Sequence, residues 1–399
     1  MKTQFVTSLV MVEDGFEAGK EVAQLAVDKI QLPRSPQLVI LFCSDKYEYA
    51  AVLRGVKQVV GESVPIIGCS SAGQFSDEGV YKRGLSCAMI ASDDYRFFTG
   101  VGVNIKSDPL KTVEHAVKAF PKEVEGYPYQ AAILFIDGLA GKGEETVLAA
   151  SSVLGPDVKF AGAAAADNLN FRETVVFGNG HVLTNAMSAC LLASRLPVII
   201  SCKHGHKPIS QPLTVTKSKD NVIYEFDHQP ALEVWKNHVR KHLSGRGVNV
   251  DKLNSKELSN YLLEYEVGLM TGPDSDYKIR FPASCNPDGS LNFTCSMMEG
   301  SVVKIMDSSQ QDQIDSARQA AEMALHASKG VKLAGAVIFD CACRAMILQE
   351  QFSQAVKAKQ KVLGNLPFIG GETYGEIAMD AGQYSGFHNT TTVIMLFPE

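Results

Sequence analysis

The sequence predicts an α/β protein of mixed, largely parallel sheets with flanking helices, built from three repeated strand–helix–strand–glycine units in two halves. Three observations carry this prediction. Apolar runs without alternation, such as Val39-Ile40-Leu41-Phe42, suit strands buried on both faces. Each leads through a helical stretch to a second apolar strand ending in glycine. The interval is 26 residues from Phe42 to Gly68, 27 from Phe135 to Gly162 and 31 from Phe339 to Gly370. A crossover of that length joins parallel strands through a right-handed helix. Each unit then closes on a further apolar strand, at 86–92, 188–194 and 391–397.

Taken in order, the first unit runs from the strand at 38–45 through a helix whose apolar face holds Ala51, Val52, Gly55, Val56 and Val59 to the strand at 64–68. The second occupies 132–162 and the third 336–370. Runs that follow the closing strands, such as Tyr95-Arg96-Phe97-Phe98-Thr99, suggest added antiparallel hairpins. Residues 214–226 read as a β-hairpin turned by Lys219-Asp220-Asn221, and Pro230 opens a helix after it. The stretch 226–335 lacks the repeated unit and shows helices at 255–267 and 311–327 around a turn-rich 282–289. The division is therefore 20–225, with two repeats, and 226–397, with one repeat and a helical insertion.

Composition excludes several functional classes. With 399 residues, 45% hydrophobic and 21% charged, the chain suits two or three globular domains. A net charge of -6 argues against a nucleic-acid partner, which calls for a basic surface. No apolar run reaches bilayer-crossing length and the first residues lack a signal-peptide core, so a cytoplasmic protein without membrane insertion is expected. Nine thinly spread cysteines read as reduced core thiols.

Two groups of motifs carry a family resemblance. Ile66-Ile67-Gly68-Cys69-Ser70-Ser71-Ala72-Gly73, Phe177-Gly178-Asn179-Gly180 and the stretch from Gly205-His206-Lys207-Pro208-Ile209 to Gln229-Pro230-Ala231 resemble the first half of the FIST sensory module and its junction. Cys341-Ala342-Cys343-Arg344, Gly371-Glu372-Thr373-Tyr374-Gly375-Glu376-Ile377 and Phe387-His388-Asn389-Thr390-Thr391 resemble its second half. The resemblance spans roughly residues 20–397 and implies a small-ligand sensor of bacterial signal transduction. Some stand-alone members bind haem, sense nitric oxide and regulate a separate histidine kinase or cyclic-di-GMP enzyme. The chain carries no kinase, phosphatase or cyclase sequence, so its signal is expected to pass to a partner.

The candidate chemistry lies in the loops. Cys69, Ser70 and Ser71 follow a buried strand, and the equivalent stretches hold Asp167 and Asn168, then Glu372, Tyr374 and Glu376. Three such loops converging at strand ends would form a pocket for an amino acid or other small carboxylate, although close packing also explains their small residues. Arg344 offers a bidentate fork for that carboxylate. If the strand continues through 199–206, Cys202, His204 and His206 share a face; Gly205 and Pro208 favour a break instead. The resemblance makes His204, then His181, the candidate axial ligands of a non-covalent haem. A third reading, from another class, is a hydrolase using Cys343, or His388 with Glu376 or Glu372. No recognised catalytic motif supports it, so the chain is expected not to be an enzyme.

Overall fold

The computed structural model describes residues 3–31, 35–271, 277–380 and 386–399. Each repeat centres on one parallel pair: Leu38–Cys43 with Ile66–Ser70, Tyr129–Ile136 with Lys159–Ala164, and Leu333–Cys341 with Phe368–Thr373. Leu41, Leu134 and Ile338 stand opposite Gly68, Gly162 and Gly370, so the glycines noted in the sequence occupy equivalent ladder positions. At Gly68 and Gly162 a Cβ would lie 2.0 and 1.9 Å from the carbonyl oxygens of Leu41 and Leu134, and φ is +144° and +157°. Only glycine fits there.

Parallel pairing stops at these central pairs, so each sheet is mixed. The closing strands Leu85–Ser92, Ala186–Ser194 and Thr391–Pro398 lie antiparallel against the first strand of each pair. The segments after them do not form the expected hairpins. A closing strand already has neighbours on both sides, so the chain passes to another sheet. Tyr95–Val103 joins the second repeat through Ala186–Ser194, and Ile199–His204 joins the third through Thr391–Pro398. The matching place in the first repeat is filled by Thr3–Val10, which lies before the expected start at residue 20.

The repeats also exchange short strands in a cycle. Gln74–Ser76, from the first, pairs with Phe368–Thr373 of the third. Val176–Gly178, from the second, pairs with Ile66–Ser70 of the first. Gly375–Met379, from the third, pairs with Lys159–Ala164 of the second. The two halves are thereby interleaved. At the centre, Phe42, Phe135 and Phe339, one from each repeat, meet pairwise with ring centroids 5.9 Å apart and planes at 61–75°. Such edge-to-face packing adds to what their burial contributes.

The insertion in the second half is a correction. Among the described residues it is built on a nine-stranded antiparallel sheet that also takes in three strands from 207–226, with the helices Ala231–Gly245 and Ser255–Glu264 packed through Val234, Trp235, Leu258 and Leu262. Its strands are short, from two to seven residues, so little alternation shows in the sequence. The hairpin Leu213–Lys219 with Val222–Phe226 does form, turning at Asp220 with φ +54°. Among the described residues no helix is long and apolar enough to cross a membrane.

Candidate functional site

The three loops meet at the end of the phenylalanine axis and bond in a ring. The Ala72 amide donates to the Glu372 carbonyl (2.8 Å), the Ala166 amide to Ser70 (2.9 Å), and the Tyr374 amide to Ala164 (2.9 Å). Ala72, Ala166, Ala342 and Tyr374 then pack against one another, so the convergence seals the axis end. Cys69 is fully buried, and burial pushes its thiol well above the ordinary range. Ser70 Oγ accepts from the Val175 amide at 3.0 Å, and Ser71 Oγ from Gln74 Nε2 at 2.8 Å. Both hydroxyls are engaged in holding the loop. Asn168 lies half-buried at φ +54°.

An open cleft lies beside this seal, where the repeats differ. The first and third repeats reach their exchanged strands within a few residues, whereas the second takes a longer loop between Ala166 and Val175. That loop and the N-terminus of the helix Tyr49–Val60 enclose about 520 Å³, lined by Asp45, Tyr47, Glu48, Tyr49, Asp167, Asn170, Arg172 and Glu173. Asp167 organises the loop. Its Oδ1 accepts from the Phe171 amide (2.9 Å) and the Tyr374 hydroxyl (2.6 Å), and its Oδ2 from the amides of Arg172 (2.6 Å) and Glu173 (3.0 Å). Asn170 Nδ2 donates to Asp45 Oδ2 at 2.7 Å, tying the loop to the first repeat. Phe171, 62% exposed, stacks on Tyr374 with centroids 5.0 Å apart.

This loop is held in a costly conformation. Leu169 and Phe171 adopt φ of +63° and +50°, where an L-residue loses about 1–2 kcal/mol. Residues of both signs line the cleft: Asp45, Glu48, Asp167 and Glu173 together with Arg172.

Arg344, the expected carboxylate partner, is fully buried and away from the cleft. Its Nε donates to Asp340 Oδ1 (2.6 Å), Nη1 to Ser316 Oγ (2.8 Å) and to Gln313 Oε1, and Nη2 to the Gln313 carbonyl (2.8 Å). Lys359 pairs with the other oxygen of Asp340. Burial works to raise the Asp340 carboxyl, but Lys359 and then Arg344 hold it below its ordinary value. Glu372 is half-buried beside this node, pushed up to about 7 by burial and then by Asp340.

The strand at 199–204 ends at His204, so His206 leaves the face that Cys202 and His204 share. The reason is Gly205: a Cβ there would lie 2.7 Å from the Asp312 carbonyl oxygen, so the chain must turn past the helix Gln310–Ala327. His204 Nδ1 accepts from the His206 amide at 3.1 Å, and burial, then Lys203 and Arg344, lower it to about 4. His181 sits exposed at the start of the edge strand His181–Leu183. A porphyrin needs an apolar slot beside its axial base. An exposed edge at His181 and a setting of Lys203, Arg344 and His206 at His204 do not fit that group.

His388 faces Glu376 across the strand pair, but its Nε2 contacts the Ala378 carbonyl at 3.0 Å, and burial with Lys278 lowers it to about 3. Glu376 is fully buried. Its Oε1 accepts from Thr373 Oγ1 (3.0 Å) and its Oε2 from Thr391 Oγ1 (2.9 Å); burial, then Cys341, raises it well above the ordinary carboxylate range. Cys343 is half-buried on the helix Ala342–Leu348. The candidate set is thus dispersed: Cys69, Ser70 and Ser71 lie in the sealed loop of the first repeat, Asp167 lines the cleft with Asn168 and Tyr374 next to it, His181 sits on an exposed edge, and Arg344, Glu372, Glu376, His388 and His204 lie in and around the third repeat. Sequence reading missed Asp45, Glu48, Arg172 and Glu173, which look like ordinary surface charges, although Asp45 does end a strand run.

The FIST N domain matches residues 37–229 and the FIST C domain residues 231–379. An uncharacterised protein of Methanocaldococcus jannaschii, MJ1623, is 26% identical over 241 residues, covering 56% of this chain and 43% of that protein. The chain thus spans less than half the length of that relative. A cyanuric acid hydrolase from A. caulinodans is similar at a TM-score of 0.36 and 8% identity, over 100% of this chain and 99% of that one. PurLQS from Thermotoga maritima gives 0.23 and 9%, over 100% and 72%. With both halves of the module matched in order, the chain belongs to the FIST family, whose domains are small-ligand sensory domains in signalling.

Proposed function

We propose that the protein senses an amino acid or a similar small zwitterion in the cleft between Asp45 and Arg172, and passes its state to a separate signalling protein such as a histidine kinase or a cyclic-di-GMP enzyme. One observation carries the reading. The cleft at the strand end of the first repeat offers paired charges of opposite sign on a strained loop that ties the repeats together. Arg172 takes the part the sequence suggested for Arg344, whose donors are committed elsewhere. A ligand carboxylate meets the Arg172 guanidinium, and its ammonium meets Asp45 or Glu173.

A binding role is favoured over hydrolysis because the groups a hydrolase would use are not poised for it. Cys343 lies half-buried on the helix Ala342–Leu348, and His388 Nε2 is engaged by the Ala378 carbonyl at 3.0 Å. Calorimetric titration with the common L-amino acids, singly, tests the proposal. One of them should bind saturably, and Arg172→Ala should weaken it by about tenfold or more, as loss of a charged hydrogen bond implies. Binding unchanged in Arg172→Ala and in Glu173→Gln would refute the cleft. A saturable haem Soret band that shifts with nitric oxide and disappears in His204→Ala would establish the competing haem reading instead.

A further inference from the structure

A line of hydrogen bonds, buried beyond its first, runs from the cleft across the third repeat to the insertion. It begins at Asp167, whose Oδ1 accepts from the Tyr374 hydroxyl at 2.6 Å. The preceding residue, Thr373, donates from Oγ1 to Glu376 Oε1 at 3.0 Å. The other oxygen of Glu376 accepts from Thr391 Oγ1 at 2.9 Å. Adjoining Thr390 donates to Glu266 Oε1 at 2.7 Å. Thr373, Glu376, Thr390, Thr391 and Glu266 are each no more than 1% exposed. The Glu266 carbonyl in turn accepts from the Met306 amide at 2.8 Å, within the strand Val302–Asp307 of the insertion sheet.

The far end of this line differs from the rest. Among the described residues Glu266 Oε2 has no hydrogen-bond partner, and neither ring nitrogen of His206 has one, although all three atoms are buried. His206 Nε2 lies 3.6 Å from that oxygen, beyond hydrogen-bond reach. Leaving buried donors and acceptors unmade is expensive. A small approach of the two side chains would make the missing bond, so two arrangements of this contact lie close together. The bridge is special to the third repeat: the ladder positions equivalent to Glu376 hold Gln74 in the first repeat and Val176 in the second.

We propose that this line couples the cleft to the insertion sheet, so that a change at Asp167 makes or breaks the contact between Glu266 and His206. The insertion is then the part of the molecule whose state reports the cleft. Only its input rests on the ligand reading given above; the coupling itself is a property of the chain. A packed network with one uncommitted contact is the kind of two-state element through which such coupling acts.

Hydrogen exchange at the Met306 amide reads the far end directly. Tyr374→Phe removes one hydroxyl at the near end, and Thr391→Val removes the middle one at constant shape. Each should change Met306 exchange by about fivefold or more, and the double variant should do no more than the larger single, because the residues act in one line. Thr391→Ser, which keeps the hydroxyl, should return exchange to the wild-type rate. Tyr127→Phe, which removes a hydroxyl bonded to the Asp93 carbonyl, should leave it unmoved. If Thr391→Val does not fold, Glu266→Gln takes its place in the cycle. Met306 exchange unmoved by Tyr374→Phe, or effects that simply add, would overturn the coupling. If Tyr374→Phe moves Met306 while no L-amino acid binds, the coupling stands and the ligand reading falls.

Discussion

The third repeat and the first two share a backbone plan but differ in what they bury. Two residues beyond the ladder position opposite each glycine stand Cys43, Ile136 and Asp340. In the first two repeats that place is neutral and packed. In the third it is a carboxylate held between Lys359 and Arg344, all three buried. The axis itself keeps its symmetry, since Phe42, Phe135 and Phe339 meet at equal spacing. Apolar packing therefore maintains the common plan, and polar specificity enters where one copy departs from it. The cleft follows the same rule, because it lies at the one loop that is longer than its counterparts.

The largest expected effect tests the charged node. Asp340→Ala strands two buried cations and should cost about 3–5 kcal/mol in denaturant unfolding, as removal of one partner of a buried pair does. Ile136→Val at the equivalent position should cost only about 0.5–1.5 kcal/mol. Equal losses would show that the node contributes no more than ordinary packing, and the contrast between repeats would fail. Next in size, Phe42→Leu, Phe135→Leu and Phe339→Leu should each cost about 1–3 kcal/mol and agree among themselves. One outlier among the three would break the symmetry of the axis.

How much of this was legible in the sequence follows from the range of the forces involved. Buried parallel strands need unbroken apolar runs, and the crossover length fixes their spacing, so Phe42, Phe135 and Phe339 could be aligned from sequence alone. Strand exchange could not, because Gln74–Ser76 and Val176–Gly178 are three residues each and their partners are chosen by tertiary packing. Arg344 misled for a related reason. A motif shows which donors exist, whereas Gln313 and Ser316, some thirty residues earlier, decide whether they are free. Asp167 and Tyr374 were both visible as candidates, but only the fold shows that they touch.

The smallest expected effect sharpens the comparison at Glu372, whose ladder counterparts are Ser70 and Ala164. Burial, then the Asp340 charge, raises its carboxyl from the ordinary 4.5 to about 7, against the opposing pull of Lys82 and Lys359. A carboxyl raised in the folded state binds its proton more tightly there than in the unfolded chain. Its contribution to stability is therefore fully present below pH 4.5 and is lost as pH rises through about 7. Depressed histidines run the other way: the contribution of His204 is present above 6.5 and lost as pH falls toward about 4. Because the two trends oppose, the raw pH profile hides both, and the difference between wild type and Glu372→Gln isolates the carboxyl. That difference should favour wild type at the acid end and decline across pH 4.5–7, with Glu372→Gln lacking the slope. A flat difference curve would mean that Glu372 titrates like an ordinary surface carboxylate, and that the Asp340 node exerts no field on the strand that carries it.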